Sequence, residues 1–311
     1  MKIKKLSLVS AVIFVLAVTA CAPRKEFLKL EFRKGEKITY SGTTKTRIEG
    51  LGLLQSESFE NVREFTYTQE VIGIDKAGIA LVEIRFLRLA ISQNLPGLAN
   101  VKYDSDKDSE NANPAFKPLK ILINNPFILH FDNQGRVVKV RGFDKIIDKL
   151  LDSMDNKETE KSMRTLIQKS FSDEMISQIF SNTSPIIPAK AINIGESWES
   201  ESRLSLVFFP EIRIKYQNTY ASKEKGIAKI ISKGVMYSEE GKNESNGDSL
   251  LPMIFKNGEL EGQIYLNVRK GVVERFEMTH NIRMAIKMEL GQLGSKGGQK
   301  IITHTEVTHV K

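Results

Sequence analysis

From Val272 to Leu290 the chain alternates. Even positions read Val, Glu, Phe, Met, His, Ile, Met, Ile, Met, Leu, while most odd positions are charged or polar. A period of two puts successive side chains on opposite faces of a strand, so the pattern predicts a β-strand whose apolar face is interrupted at Glu274 and His280. At about 3.3 Å per residue such a strand would run roughly 60 Å, and strands of that length twist, curl or bend at bulges. "FTYTQEVIGI" (65–74) and "KIITHTEVTHV" (300–310) are further runs rich in threonine, valine and isoleucine.

The period changes in the middle of the chain. Phe143, Ile146, Ile147, Leu150, Leu151 and Met154 recur at helical spacing, which predicts one apolar stripe on a helix. Thr159 can cap a second helical run carrying Met163, Leu166 and Ile167, and Ser172 a third carrying Met175, Ile176, Ile179 and Phe180. Pro185 and Pro188 then return the chain to strands. The β-rich stretches on either side resemble each other. "KGEKITY" (34–40) answers "IGESWES" (194–200), "KAGIALVEI" (76–84) answers "EKGIAKIIS" (224–232), and "NQGRVVKV" (133–140) answers "RKGVVERF" (269–276). The expected fold class is mainly β (α+β): two related antiparallel curved units, half-barrel-like, joined by a helical segment.

The first residues carry a different signal. Lys2, Lys4 and Lys5 precede an apolar run from Leu6 to Val18, too short for a bilayer span of roughly 20 residues but suited to a secretory signal. Val18-Thr19-Ala20 then lead to Cys21, the only cysteine. The expected layout is a signal peptide at 1–20, an amino terminus beginning at Cys21 with the first β unit at 21–142, a helical segment at 143–183 and a second β unit at 184–311. Removing residues 1–20 takes away three lysines and leaves 43 basic against 38 acidic residues, a net charge of +5. That excess is compatible with an anionic membrane surface but lacks the clustered basic residues of nucleic-acid binding, so no nucleic-acid partner is expected.

Candidate chemistry is sparse. Asp104, Asp106 and Asp108 open like a calcium loop, yet Ser109 and Ala115 stand where that loop needs glycine and glutamate. His304 and Glu306 share one strand face while His309 takes the other, and a third metal ligand would have to come from elsewhere, such as His280 on a paired strand. No nucleophile elbow, zinc-protease motif, phosphate loop or dinucleotide fingerprint occurs, so neither catalysis, a metal nor a cofactor is expected. Trp198 reads as a plug at one end of the β core. The remaining feature is a line of adaptable apolar side chains, Phe276, Met278, Ile282, Met284, Ile286 and Met288. Under a fixed helical cover this line would be core; under a movable one it could hold an acyl chain.

The segment ending Val18-Thr19-Ala20-Cys21 resembles the lipobox of bacterial lipoproteins, and "PIIPAKAINIGESW" (185–198) resembles the "hydrophobic-Gly-Asp/Glu-Ser-Trp" approach of a family of uncharacterised bacterial lipoproteins of similar length. The resemblance implies that Cys21 carries a diacylglycerol and anchors the protein in the cell envelope. Ala22, in place of aspartate, would direct it to the outer membrane, facing the periplasm. Long curled strands with helices in their concave face are similar, more distantly, to periplasmic lipoprotein-carrier and lipoprotein-acceptor folds. Two functions follow as expectations: binding of a lipid or other hydrophobic envelope molecule, or a scaffold for another envelope protein through exposed β edges.

Overall fold

The computed structural model describes residues 25–51, 58–94, 100–107, 117–152, 172–182, 187–204, 211–239, 253–287 and 296–310. Cys21, the signal segment, Asp108, Met154, the helical run after Thr159, Pro185 and Met288 lie outside them. Twelve strands form one antiparallel sheet: β1 (Lys37–Leu51), β2 (Ser58–Ile74), β3 (Ala80–Asn94), β4 (Val101–Asp104), β5 (Phe127–Phe131), β6 (Val137–Arg141), β7 (Ser197–Leu204), β8 (Ile212–Glu224), β9 (Ile227–Tyr237), β10 (Met253–Asn267), β11 (Val272–Lys287) and β12 (Lys296–Val310). Their spatial order is β6-β5-β3-β2-β1-β12-β11-β10-β9-β8-β7, with β4 paired to the far end of β3. The alternating run beginning at Val272 is thus a single strand of 16 residues, and its neighbours are nearly as long.

Among the described residues three helices accompany the sheet: α1 (Lys117–Leu122), α2 (Phe143–Asp152) and α3 (Asp173–Asn182). α2 buries Phe143, Ile146, Ile147 and Leu151, four members of the predicted stripe. α3 starts where Ser172 caps it, its hydroxyl accepting from the Met175 amide at 3.2 Å. α3 also joins the two edges of the sheet. It packs against both β6 and β7, and on the β6 side the Val137 amide donates to Ser181 Oγ at 3.2 Å while Ser177 Oγ donates to the Val137 carbonyl at 2.8 Å. The edges are not hydrogen-bonded to each other, so the sheet is rolled but open and a helix stands in its seam.

The residues that matched between the halves occupy equivalent turns. Gly35 and Gly195 have φ of 85° and 90°, where a β-carbon would be strained. The Gly35 amide donates to the Val71 carbonyl at 2.8 Å and the Val71 amide to the Glu36 carbonyl at 2.9 Å; Gly195, Tyr220 and Glu196 repeat the pair at 2.7 and 3.0 Å. Gly78 and Gly226 turn the β2–β3 and β8–β9 hairpins, and Gly135 and Gly271 turn β5–β6 and β10–β11, all with positive φ. The strands therefore run β1, β2, β3, β5, β6 in the first half as β7, β8, β9, β10, β11 do in the second. β12 fills the junction between β11 and β1; α3 stands at the other junction.

Apolar side chains of the inner face gather in two clusters. One centres on β8 to β12 and includes Tyr220, Ile214, Ile230, Leu266 and Phe276. The other joins β2, β3, β5 and β6 to α2 and α3 through Ile84, Phe127, Leu129, Leu151 and Ile176. The amino-terminal stretch crosses between them: Glu26 and Ile192 exchange backbone hydrogen bonds, the Glu31 amide donates to the Gly271 carbonyl at 3.0 Å, and Leu28 is buried. At that crossing a β-carbon on Gly271 would lie 2.2 Å from the Glu31 nitrogen, so the close approach needs glycine.

Candidate functional site

Cross-strand register sorts the inner face into rows. Phe65, Gly42, Val307, Phe276 and Ile264 lie opposite one another on β2, β1, β12, β11 and β10. Gly42 leaves room for the Phe65 ring to lie across β1, since a β-carbon there would sit 2.5 Å from two ring carbons. Toward the hairpins of β2–β3 and β10–β11 the rows are closed by the amino-terminal stretch. A cavity of about 80 Å³ remains between Leu30, Phe32, Tyr40, Tyr67, Val82 and Phe276. Tyr40 and Tyr67 stack at 5.5 Å, and Tyr40 Oη donates to the Val273 carbonyl at 3.1 Å. Burial pushes both phenols up, so they stay protonated. Ligand pockets run to roughly 300–1,000 Å³, so this cavity is a packing gap of the closed end.

In the other direction the inner face turns polar. Thr44 pairs with Thr305 and Thr46 with Thr303, each hydroxyl pair at 3.2 Å. Arg63 lies beside Thr44, Asn61 beside Thr46, and His280 beside Thr303. Asn61 is 4% exposed and its buried Oδ1 has no partner. Arg63 remains exposed to solvent, yet the surrounding protein desolvates its guanidinium and pulls its pKa down. Its side chain therefore lies on the inner face with part of its surface in water and part against protein. Burial also pushes His280 down to about 4, so its imidazole is neutral at pH 7. Beyond this belt comes one more apolar row, Phe59, Ile48, Ile301 and Ile282 on β2, β1, β12 and β11, all only half-buried.

On β8 and β9 the polar inner residues are satisfied. Ser232 Oγ donates to Asn218 Oδ1 at 2.6 Å, and Asn218 Nδ2 donates to Ser200 Oγ at 3.0 Å. Around them Ile212, Ile214 and Ile230 are almost completely buried.

The predicted apolar line lies on this inner face, and it is not uniform. Phe276, Met278 and Met284 are buried, at 3%, 3% and 2% exposure. Ile282 is half-buried in the outer row. Ile286 lies on β11, and its side chain, like Met288, falls outside what is described. Trp198 packs on the inner face of β7 against the β8 to β12 cluster. His280 and His304 pair with different residues and fall on opposite faces: Thr279 faces His304, with a 2.9 Å contact, while His280 faces Thr303. His309 lies on the inner face, 3.0 Å from Glu274. No group of three or more His, Cys, Asp or Glu residues is placed to hold a metal ion among the described residues. Asp104 is held in a two-point pair with Arg88 at 3.0 Å on the outer face, and that pair, aided by the Asp106 amide, draws its pKa down to about 2. A closing aspartate of β4 is thus engaged by β3 rather than left to water.

Arg63 and Asn61 were not among the residues expected to matter. The signal was there: the odd positions of β2 read Phe59, Asn61, Arg63, Phe65, Tyr67, so two polar residues interrupt an apolar face.

This architecture is a rolled antiparallel sheet with a partly polar interior, closed at one end and sealed along one side by a helix. The chain belongs to a family of unknown function, DUF6263, whose model matches residues 77–273. No curated protein matches it. Among solved structures, the chain is similar to lipovitellin, in a structure describing its lipid–protein interactions, with a TM-score of 0.48 and 9% identity over 90% of this chain and 26% of that one. This chain thus spans about a quarter of the lipovitellin chain. It is also similar to OmpF of Salmonella typhi, in complex with daunomycin, with a TM-score of 0.22 and 7% identity over 90% of this chain and all of the other. No helix among the described residues is long and apolar enough to cross a membrane.

Proposed function

We propose that this protein is a lipid-anchored, non-catalytic component of the bacterial cell envelope that binds a lipid or similar hydrophobic molecule inside its rolled sheet. The observation that carries this reading is the row Phe59, Ile48, Ile301 and Ile282. These four large apolar side chains face the interior, yet each keeps part of its surface accessible. A fully packed core would bury them and gain roughly 25 cal/mol for every Å² removed from water. An interior left partly wet is suited to a guest. The anchor rests on Cys21 after Val18-Thr19-Ala20, and Ala22 favours the outer membrane, facing the periplasm. Two or more acyl chains at Cys21 make attachment effectively stable.

The test is native mass spectrometry of the Cys21→Ser chain, which lacks the thiol that would accept lipid, purified from the bacterial envelope. A reproducible added mass that dissociates as a lipid supports the reading. An unliganded mass that does not change after incubation with envelope lipids overturns it and turns attention to protein partners. Radiolabelled palmitate should enter the wild-type chain and be absent from Cys21→Ser; label in both would refute the anchor.

A further inference from the structure

Among the described residues, the polar belt contains a cation without a counter-ion. Arg63 has no ion pair among the described residues, although neighbouring arginines on the outer face, such as Arg47 with Glu49 and Arg88 with Glu64, do. By register, the inner positions of β1, β2, β3 and β12 hold no carboxylate at all; Glu274 of β11, the acid on the adjoining inner face, is engaged with His309 and Asn267 at the closed end. Two residues along β2 sits Asn61, almost fully buried with its amide oxygen unpartnered. A buried amide oxygen left unpaired is a defect in a filled core and an asset in a binding site, and Arg63 presents its unmatched charge to solvent two residues away.

We propose that Arg63 and Asn61, backed by Thr44, Thr46 and Thr303, seat the headgroup of an anionic amphiphile whose acyl chain lies along Phe59, Ile48, Ile301 and Ile282. This rests on the binding function proposed above and names its ligand class. The order along the strands fits. Arg63 takes the charged oxygen of a phosphate or carboxylate, Asn61 two residues on takes a neighbouring hydroxyl or similar donor, and Phe59 two residues further begins the apolar row. Successive inner residues are about 6.6 Å apart, the scale of a phosphate and its esterified glycerol. His280, neutral beside Thr303, adds a polar contact without adding charge.

The experiment measures binding of phosphatidylglycerol, diacylglycerol with the same acyl chains, and inorganic phosphate to the Cys21→Ser chain by native mass spectrometry and competition with a fluorescent fatty acid. Phosphatidylglycerol should bind at least about tenfold more tightly than diacylglycerol, since charge-assisted hydrogen bonds form with one and not the other. In Arg63→Gln that preference should shrink to near unity, in Arg63→Lys it should be partly kept, and in Arg47→Gln, on the opposite face of β1, it should be unchanged. Asn61→Val should raise the melting temperature while weakening phosphatidylglycerol binding, a combination that a purely structural asparagine would not produce. Equal binding of both lipids, unaffected by Arg63→Gln, would overturn the anionic seat and leave lipid binding standing. Binding of inorganic phosphate as tight as that of phosphatidylglycerol would overturn the amphiphile in favour of a free-anion site. Binding of no probe would overturn both readings.

Discussion

The two halves of the sheet share their turns and differ in what they do with one position. Counting back eight residues from Val71 and from Tyr220, which make the same backbone hydrogen bonds to the opening glycine of their halves, reaches Arg63 in β2 and Ile212 in β8. Both point into the roll. Ile212 is 1% exposed among Ile214, Tyr216 and Leu260, whereas Arg63 is exposed beside Thr44 with no acid to meet it among the described residues. The same scaffold position is sealed core in one half and open to solvent in the other. The polar residues follow suit: Ser232, Asn218 and Ser200 form a closed hydrogen-bonded chain, while Asn61 is left open. Equivalent backbone geometry therefore does not commit a sheet to one kind of interior; the side chains at a few inward positions decide whether it fills with protein or stays available.

Exchanging the two positions tests this most severely. Ile212→Arg places an unpaired charge in a sealed core and should cost about 4 kcal/mol or more, read as loss of the cooperative unfolding transition or a large fall in urea midpoint. Arg63→Ile, at an exposed position, should change stability by less than about 0.5 kcal/mol. If both substitutions cost the same, the halves do not differ as described.

A smaller effect should appear with pH. The belt's titratable imidazole, His280, has a folded pKa pushed down from 6.5 to about 4 by burial. Its unfolded form binds a proton at higher pH than its folded form, so the protein should be at full strength above pH 6.5 and lose about 2 to 3 kcal/mol as pH falls from there to 4. His280→Gln should flatten this part of the stability profile in urea titrations at successive pH values. An unaltered slope would show that the imidazole is not desolvated.

The smallest contrast lies in the hydroxyl and amide network. Ser232→Ala strands the Asn218 Oδ1 acceptor in the sealed half and should cost about 1 to 2 kcal/mol. Asn61→Ala, which breaks no hydrogen bond, should change stability by less than about 0.5 kcal/mol. Paired thermal melts of the two variants make the comparison, and a larger loss in Asn61→Ala would reverse the assignment of sealed and open halves.

Local pattern carried much of this architecture. Alternation marks β11 and β12 because a strand puts every second side chain on one face, and the stripe from Phe143 to Leu151 marks α2 because only a helix brings that spacing to one side. The cap at Ser172 and the matched glycines were equally legible, since hydroxyl-to-amide bonding and positive φ are properties of single residues and their immediate neighbours. Alternation assigns faces, however, and does not say which strands will be neighbours. The pairing of β1 with β12 joins residues 247 to 271 positions apart, and the rolling of the sheet until α3 meets both edges depends on twist accumulated over the eleven strands between those edges. Those long-range events bury Met278 and Met284 as core, separate His280 from His304, and gather Arg63, Asn61 and the four threonines into one belt. The sequence by itself determined the faces of the long alternating strands, the α2 stripe, the Ser172 cap and the matched glycine turns, because these follow from short-range sterics and hydrogen bonding. Only the tertiary structure decided which inward residues would be sealed and which left accessible to solvent, because that depends on what each strand meets across the roll.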